Sequence, residues 1–122
     1  MLRDRNSDLE KSVEQTVNFN AKVKNIGDIE TTYVIKALFR DDSGGDWETV
    51  GTQQVTLGPS EYKVVIVGGI MCTETMCGKN FDVKFILYDL ETEAVLDEKV
   101  IDKAWNVRET IAVGAIVEYW VD

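Results

Sequence analysis

The 122 residues predict a single all-β domain, two antiparallel sheets packed face to face as a sandwich of about seven to eight strands. Three observations carry that expectation. Apolar and polar residues alternate strictly from Val17 to Lys24, the period-2 pattern of a half-buried strand. Similar runs recur along the chain with turn signals between them, at Asn25-Ile26-Gly27 and Gly58-Pro59-Ser60. No segment carries a helical stripe, so the apolar face of each strand needs a second sheet to cover it.

The elements follow in order. Residues 1–12 are polar and read as a flexible arm or a short helix, with the domain itself spanning residues 13–122. The first strand runs from about Val13 to Lys24, with Val17, Phe19, Ala21 and Val23 facing inward. Thr31 to Arg40 is the second, burying Tyr33, Ile35, Ala37 and Phe39, or the opposite set if the sheet is covered on both sides. The polar loop Asp41 to Asp46 leads to a strand near Trp47 to Leu57, in which Gly51 marks a bulge or bend. Asn25 and Gly27 suit turn positions with left-handed backbone angles, and Pro59 fixes the entry to the next strand, Tyr62 to Val67. Gly68 to Asn80 reads as a loop. Phe81 to Tyr88 and Ala94 to Asp102 follow as strands, Trp105 and Asn106 as a connection. The last strand, Thr110 to Val121, is apolar on both faces.

Composition limits function. Hydrophobic residues make up 44%, enough for a globular core without metal or disulfides. The longest apolar run, Val64 to Met71, contains two glycines and is too short to cross a bilayer as a helix, so no membrane insertion is expected. The start of the chain is charged where a secretory leader needs an apolar stretch. The net charge of −9 opposes contact with phosphate backbones, which argues against nucleic acid. There is no histidine, which removes Ser-His-Asp and Cys-His catalysis and His-ligated metal. No glycine-rich phosphate loop is present. The 22 carboxylates show no spacing beyond that of an acidic surface. The expectation is a protein that is not an enzyme and holds no cofactor.

The order of motifs resembles a known family. An alternating strand ends in Val23-Lys24-Asn25-Ile26-Gly27; Val55-Thr56-Leu57-Gly58-Pro59 precedes a β-branched strand; Phe81-x-Val83 leads into Tyr88-Asp89. This is similar to the CARDB and FxLYD type of immunoglobulin-like domain of prokaryotic surface and secreted proteins, over Val13 to Asn106. The resemblance implies an immunoglobulin-like sandwich and a non-catalytic adhesion, interaction or spacer module. It also implies an extracellular or cell-surface location with the leader absent; a cytoplasmic location is the alternative. The Gly68 to Asn80 loop and the extension after Trp105 depart from the family pattern.

Four groups of residues are candidate sites. Cys72 and Cys77 lie four residues apart in one predicted loop, a spacing that brings Cα atoms into disulfide range; reduced, partly buried thiols are the alternative. Asp41, Asp42, Asp46 and Glu48 surround Ser43-Gly44-Gly45, where oxygen ligands for Ca²⁺ are available, although a solvated turn explains the same residues. Ile111, Val113, Val117, Tyr119 and Trp120 of the terminal segment form a candidate interface. That segment either closes its own sandwich or pairs with a neighbouring subunit of a filament, appendage or virion. The partner is therefore a second protein or a second copy. Trp47, Trp105, Trp120 and the tyrosines offer a glycan platform as the weaker alternative to core packing, with Trp47 the most exposed.

Overall fold

The structure, a computed structural model, describes residues 9–109 and 116–121. It is all-β, with two sheets packed on one core. The strands among the described residues are β1 (Glu10–Lys11), β2 (Thr16–Lys24), β3 (Thr31–Asp41), β4 (Glu48–Leu57), β5 (Tyr62–Met71), β6 (Asn80–Asp89) and β7 (Val95–Val107). One sheet has five strands in the order β1-β7-β6-β3-β4, and the other pairs β2 with β5. All pairings are antiparallel except β1 with β7. Of the stretch expected as a flexible arm or short helix, the described part carries a strand at Glu10–Lys11, hydrogen-bonded to the end of β7, and residues 1–8 lie outside the described residues.

Alternation builds the core. Val17, Phe19 and Val23 of β2 face Tyr33, Ile35 and Ala37 of β3 and Phe81 and Val83 of β6, all buried. Trp105 is 1% exposed and stacks on Phe81, with ring centroids 4.3 Å apart and planes 18° from parallel. The strand expected over Ala94 to Asp102 instead continues to Val107 as β7 and brings Trp105 and Val107 into the core. The reason is a bulge. Phe81 pairs with Trp105 and Val83 with Ile101, leaving residues 102–104 opposite Asp82 alone. Buried Asp82 holds the bulge, accepting from Lys103 N at 3.0 Å and Arg40 Nε at 3.1 Å, while Lys103 takes a positive φ of 50°.

Gly68 and Gly69, expected in a loop, lie inside β5. They are tolerated in a strand because other backbone crowds them. A Cβ on Gly69 would lie 3.2 Å from the Val17 carbonyl oxygen, and one on Gly68 3.3 Å from that of Val50. Gly51 sits at the expected irregularity, where the β3–β4 register shifts between Ala37 and Leu38. Here β4 crosses under β5 so closely that a Cβ would lie 2.5 Å from the Val67 carbonyl oxygen. Backbone cannot swing aside as a side chain can. Gly51→Ala is therefore expected to destabilise by about 1–3 kcal/mol, read as a lower urea midpoint; an unchanged midpoint would show that the two strands separate freely.

Asn25 and Gly27 do not adopt left-handed backbone angles. Asn25 is instead a buried bracket, 1% exposed. Its Nδ2 donates to the carbonyls of Ile29 and Leu57 at 2.8 and 2.9 Å, and its Oδ1 accepts from Gly27 N at 2.8 Å. Its backbone also bonds Ser60 and Glu61, so one residue ties the β2–β3 connection to the β4–β5 turn.

Candidate functional site

The unequal widths of the two sheets create the site. Strands lie about 4.8 Å apart, so the five-stranded sheet is roughly 19 Å across and the two-stranded one roughly 5 Å. The smaller sheet cannot cover the whole inner face of the larger. At one end of β6 and β7 other chain segments close the gap. Gly78 and Lys79 bond the backbone of Val107, Cys72 bonds the backbone of Glu14 and Gln15, and Val13, Met76 and Cys77 pack on the core. At the opposite end nothing among the described residues does so.

The result is a cleft of about 680 Å³ between β2 and β6–β7. Tyr33, Ile35, Phe85 and Leu87 contribute apolar surface to it, with Ala21 and Val23 on the β2 side and Leu96, Asp97, Glu98 and Lys99 on the β7 side. Lys99 Nζ lies 3.8 Å from Asp97 Oδ1. Among the described residues β2 pairs only with β5, so its outer edge along this cleft is an unpaired row of backbone donors and acceptors. A second apolar surface lies behind it: on the outer face of β5, Tyr62, Val64, Ile66 and Met71 are all exposed. Lys22 of β2 stands 4.1 Å from the Tyr62 ring centroid.

The terminal segment behaves differently from expectation. Residues 116–121 form no strand, and Val117, Tyr119 and Trp120 are 88%, 87% and 73% exposed. Ile111 and Val113 lie outside the described residues. Burial of this segment against its own core is therefore not what the described part shows.

Cys72 and Cys77 are not bridged. The Glu74–Met76 3₁₀ turn separates them, and Cys72 is turned into the core rather than across the loop. Burial pushes the Cys72 thiol up from its ordinary range, against a smaller opposing effect of Lys11, with a lesser upward push from Cys77 nearby. A raised folded pKa favours the fold at neutral pH and loses that contribution as pH rises past the ordinary thiol range.

The acidic loop gathers no metal site: among the described residues no three Asp, Glu or Cys side chains converge. Asp41 and Asp42 are engaged instead with protein partners. Asp41 Oδ1 accepts from the Ser43 amide and hydroxyl, both at 3.0 Å, and Lys79 Nζ stands 3.5 Å from Asp41 Oδ2. The Ser43 bonds, with a smaller contribution from Lys79, hold the Asp41 carboxyl below its usual range. Lys103 Nζ lies 4.0 Å from Asp42. Trp47 is half-buried rather than exposed, with the Arg40 guanidinium 4.3 Å and the Lys84 ammonium 4.4 Å from its ring. Trp105 and Tyr33 belong to the core, which leaves no aromatic platform for a glycan that includes them.

No protein-family model matches the chain, and no curated protein shows a significant match. Among solved structures the chain is similar to Bacteroides uniformis beta-glucuronidase, with a TM-score of 0.56 and 17% identity over 72% of this chain and 11% of that one. A calcium-binding mutant of Bacteroides uniformis beta-glucuronidase 2 matches with the same values. The chain spans only that small part of the enzymes' length. The likeness is one of fold alone.

Proposed function

We propose that this chain is a non-catalytic, immunoglobulin-like interaction module, extracytoplasmic as its family resemblance implies, that takes an extended apolar segment of a protein into the cleft beside β2. The observation that carries this reading is the coincidence of an unpaired strand edge with uncovered apolar core at Phe85 and Leu87. Strand addition uses both at once: the edge supplies main-chain hydrogen bonds, and the apolar floor receives alternate side chains. The immunoglobulin-like assignment is supported by chain order. β2 pairs with β5, while β3 between them crosses to join β6 and β7 in the other sheet. The non-catalytic reading is supported by a chain without histidine, whose cleft presents carboxylates and lysines but no nucleophile beside a base.

Selection of displayed peptides against the full chain tests the reading. Peptides with large apolar residues at alternate positions are expected to be enriched. Leu96→Asp, at a half-exposed position lining the cleft, is expected to weaken them about tenfold or more. Enriched peptides indifferent to Leu96→Asp, or no enrichment, would overturn it.

A further inference from the structure

We infer that the occupant of the cleft is the apolar segment Ile116–Val121 of a second copy of this chain, so that the protein self-associates head to tail by strand addition. The inference rests on the reading of the cleft as a strand-binding site, and adds the identity of the strand.

Segment and cleft are complementary in length. Six extended residues span about 20 Å, and the β2 stretch bordering the cleft, Asn20 to Lys24, about 16 Å. They are also complementary in pattern. Val117, Tyr119 and Val121 fall on one face of an extended segment and would cover Phe85 and Leu87. Ile116, Glu118 and Trp120 fall on the other, the face on which β2 carries exposed Lys22 and Lys24. On a chain of net charge −9, this lysine-bearing edge is a local exception, and Glu118 is the one charge in the segment. Both surfaces are exposed in the same molecule, so each is available to another copy.

The segment's own cleft is a poor fit for reach. The cleft borders β7 at Leu96 to Lys99, and Lys99 precedes the end of β7 at Val107 by about 26 Å of strand. Returning that distance while crossing the roughly 10 Å between sheets is a direct span of about 28 Å, which takes up nearly all of the roughly 30 Å that a fully extended chain supplies between Val107 and Ile116 and leaves almost none for reversing direction. A second copy carries no such limit. Because the donor and acceptor surfaces differ, the contact is heterologous, and it closes into a swapped dimer or ring or continues as a chain of subunits.

Light scattering on the full chain over a wide concentration range tests the inference, with circular dichroism confirming that each variant is folded. The wild-type mass is expected to rise about twofold or more. The doubly substituted segment variant, Val117→Asp with Tyr119→Asp, keeps its cleft but is expected to remain a monomer. Leu96→Asp, which keeps its segment, is expected to do the same; Lys99→Glu serves as a second cleft variant should Leu96→Asp misfold. The decisive sample is the equimolar mixture of segment and cleft variants, expected to recover a complex of two chains. A mixture that stays monomeric while wild type assembles would overturn the inference, and variants that each assemble as readily as wild type would overturn it in favour of a symmetric contact through the exposed β5 face, which none of the substitutions touches. A wild type that stays monomeric while its cleft binds selected peptides would overturn the inference and leave the interaction module standing. Loss of both would overturn the two together.

Discussion

Trp105→Ala is expected to cost about 3–5 kcal/mol, enough to unfold much of the population of a small domain. The indole is 1% exposed, lies flat on Phe81, and has the Phe39 ring 6.2 Å away. Its removal leaves a cavity at the end of the core that the 72–79 segment closes, where the backbone of Gly78 and Lys79 is tied to Val107 and has little freedom to collapse inward. Trp105→Phe separates packing from polarity. The buried Nε1 finds no hydrogen-bond acceptor among the described residues, and an unsatisfied buried donor costs about 1–3 kcal/mol. Phenylalanine removes that cost while giving up part of the ring, so the two changes oppose each other and a net loss of about 1 kcal/mol is expected. Urea denaturation of both variants is the measurement. If Trp105→Phe proved as damaging as Trp105→Ala, the orphaned donor would have no energetic weight and ring volume alone would explain the site.

The second large effect belongs to Asn25. Asn25→Ala deletes three hydrogen bonds and leaves the carbonyls of Leu57 and Ile29 and the Gly27 amide to find other partners, at an expected total of about 3 kcal/mol. Asn25→Asp tests the polarity of the bracket. The acceptor to Gly27 remains, but the donor becomes a carboxylate oxygen facing two carbonyl oxygens in a buried site. Desolvation and those carbonyls raise the folded pKa of such a carboxyl. A raised folded pKa adds stability that is present below the unfolded value and lost as pH rises through the folded value. Asn25→Asp is therefore expected to trail wild type most at neutral pH and to recover part of the difference near pH 4, where the protonated acid again donates a bond. A difference independent of pH would show that the side chain swings out to solvent.

What the sequence disclosed and what it hid divide along physical lines. Alternation at Val17 to Lys24 and at Phe81 to Tyr88 reports directly which side of a strand is wet, and both strands lie where that pattern puts them. Glycine reports less. Gly27 suggested a left-handed turn and Gly68-Gly69 a loop, yet the latter pair sits in a strand because neighbouring backbone presses on it, a fact about residues far away in sequence. Trp105 was hidden by the bulge at residues 102–104, which breaks the alternation just before the most buried side chain of its strand. The cleft was hidden more deeply. Its apolar floor, Tyr33, Ile35, Phe85 and Leu87, reads as ordinary inward positions, and among the described residues it is left uncovered because one sheet has fewer strands than the other. The apolar character of residues 116–121 was plain, and with it the need for cover; where that cover comes from is not a local property.

The pairing of β1 with β7 has a mechanical meaning. The two strands run parallel, joined by Asn106 N to the Leu9 carbonyl at 3.0 Å and Arg108 N to the Lys11 carbonyl at 2.7 Å, with the Arg108–Glu10 ion pair alongside at 3.1 Å. Tension entering ahead of Leu9 and leaving beyond Glu109 pulls these parallel strands in opposite directions along their length. Both backbone bonds are then strained together, rather than peeled one after the other. The first resistance to stretching thus sits at a short clasp outside the core, and the hydrophobic interior bears load only after that clasp has slipped.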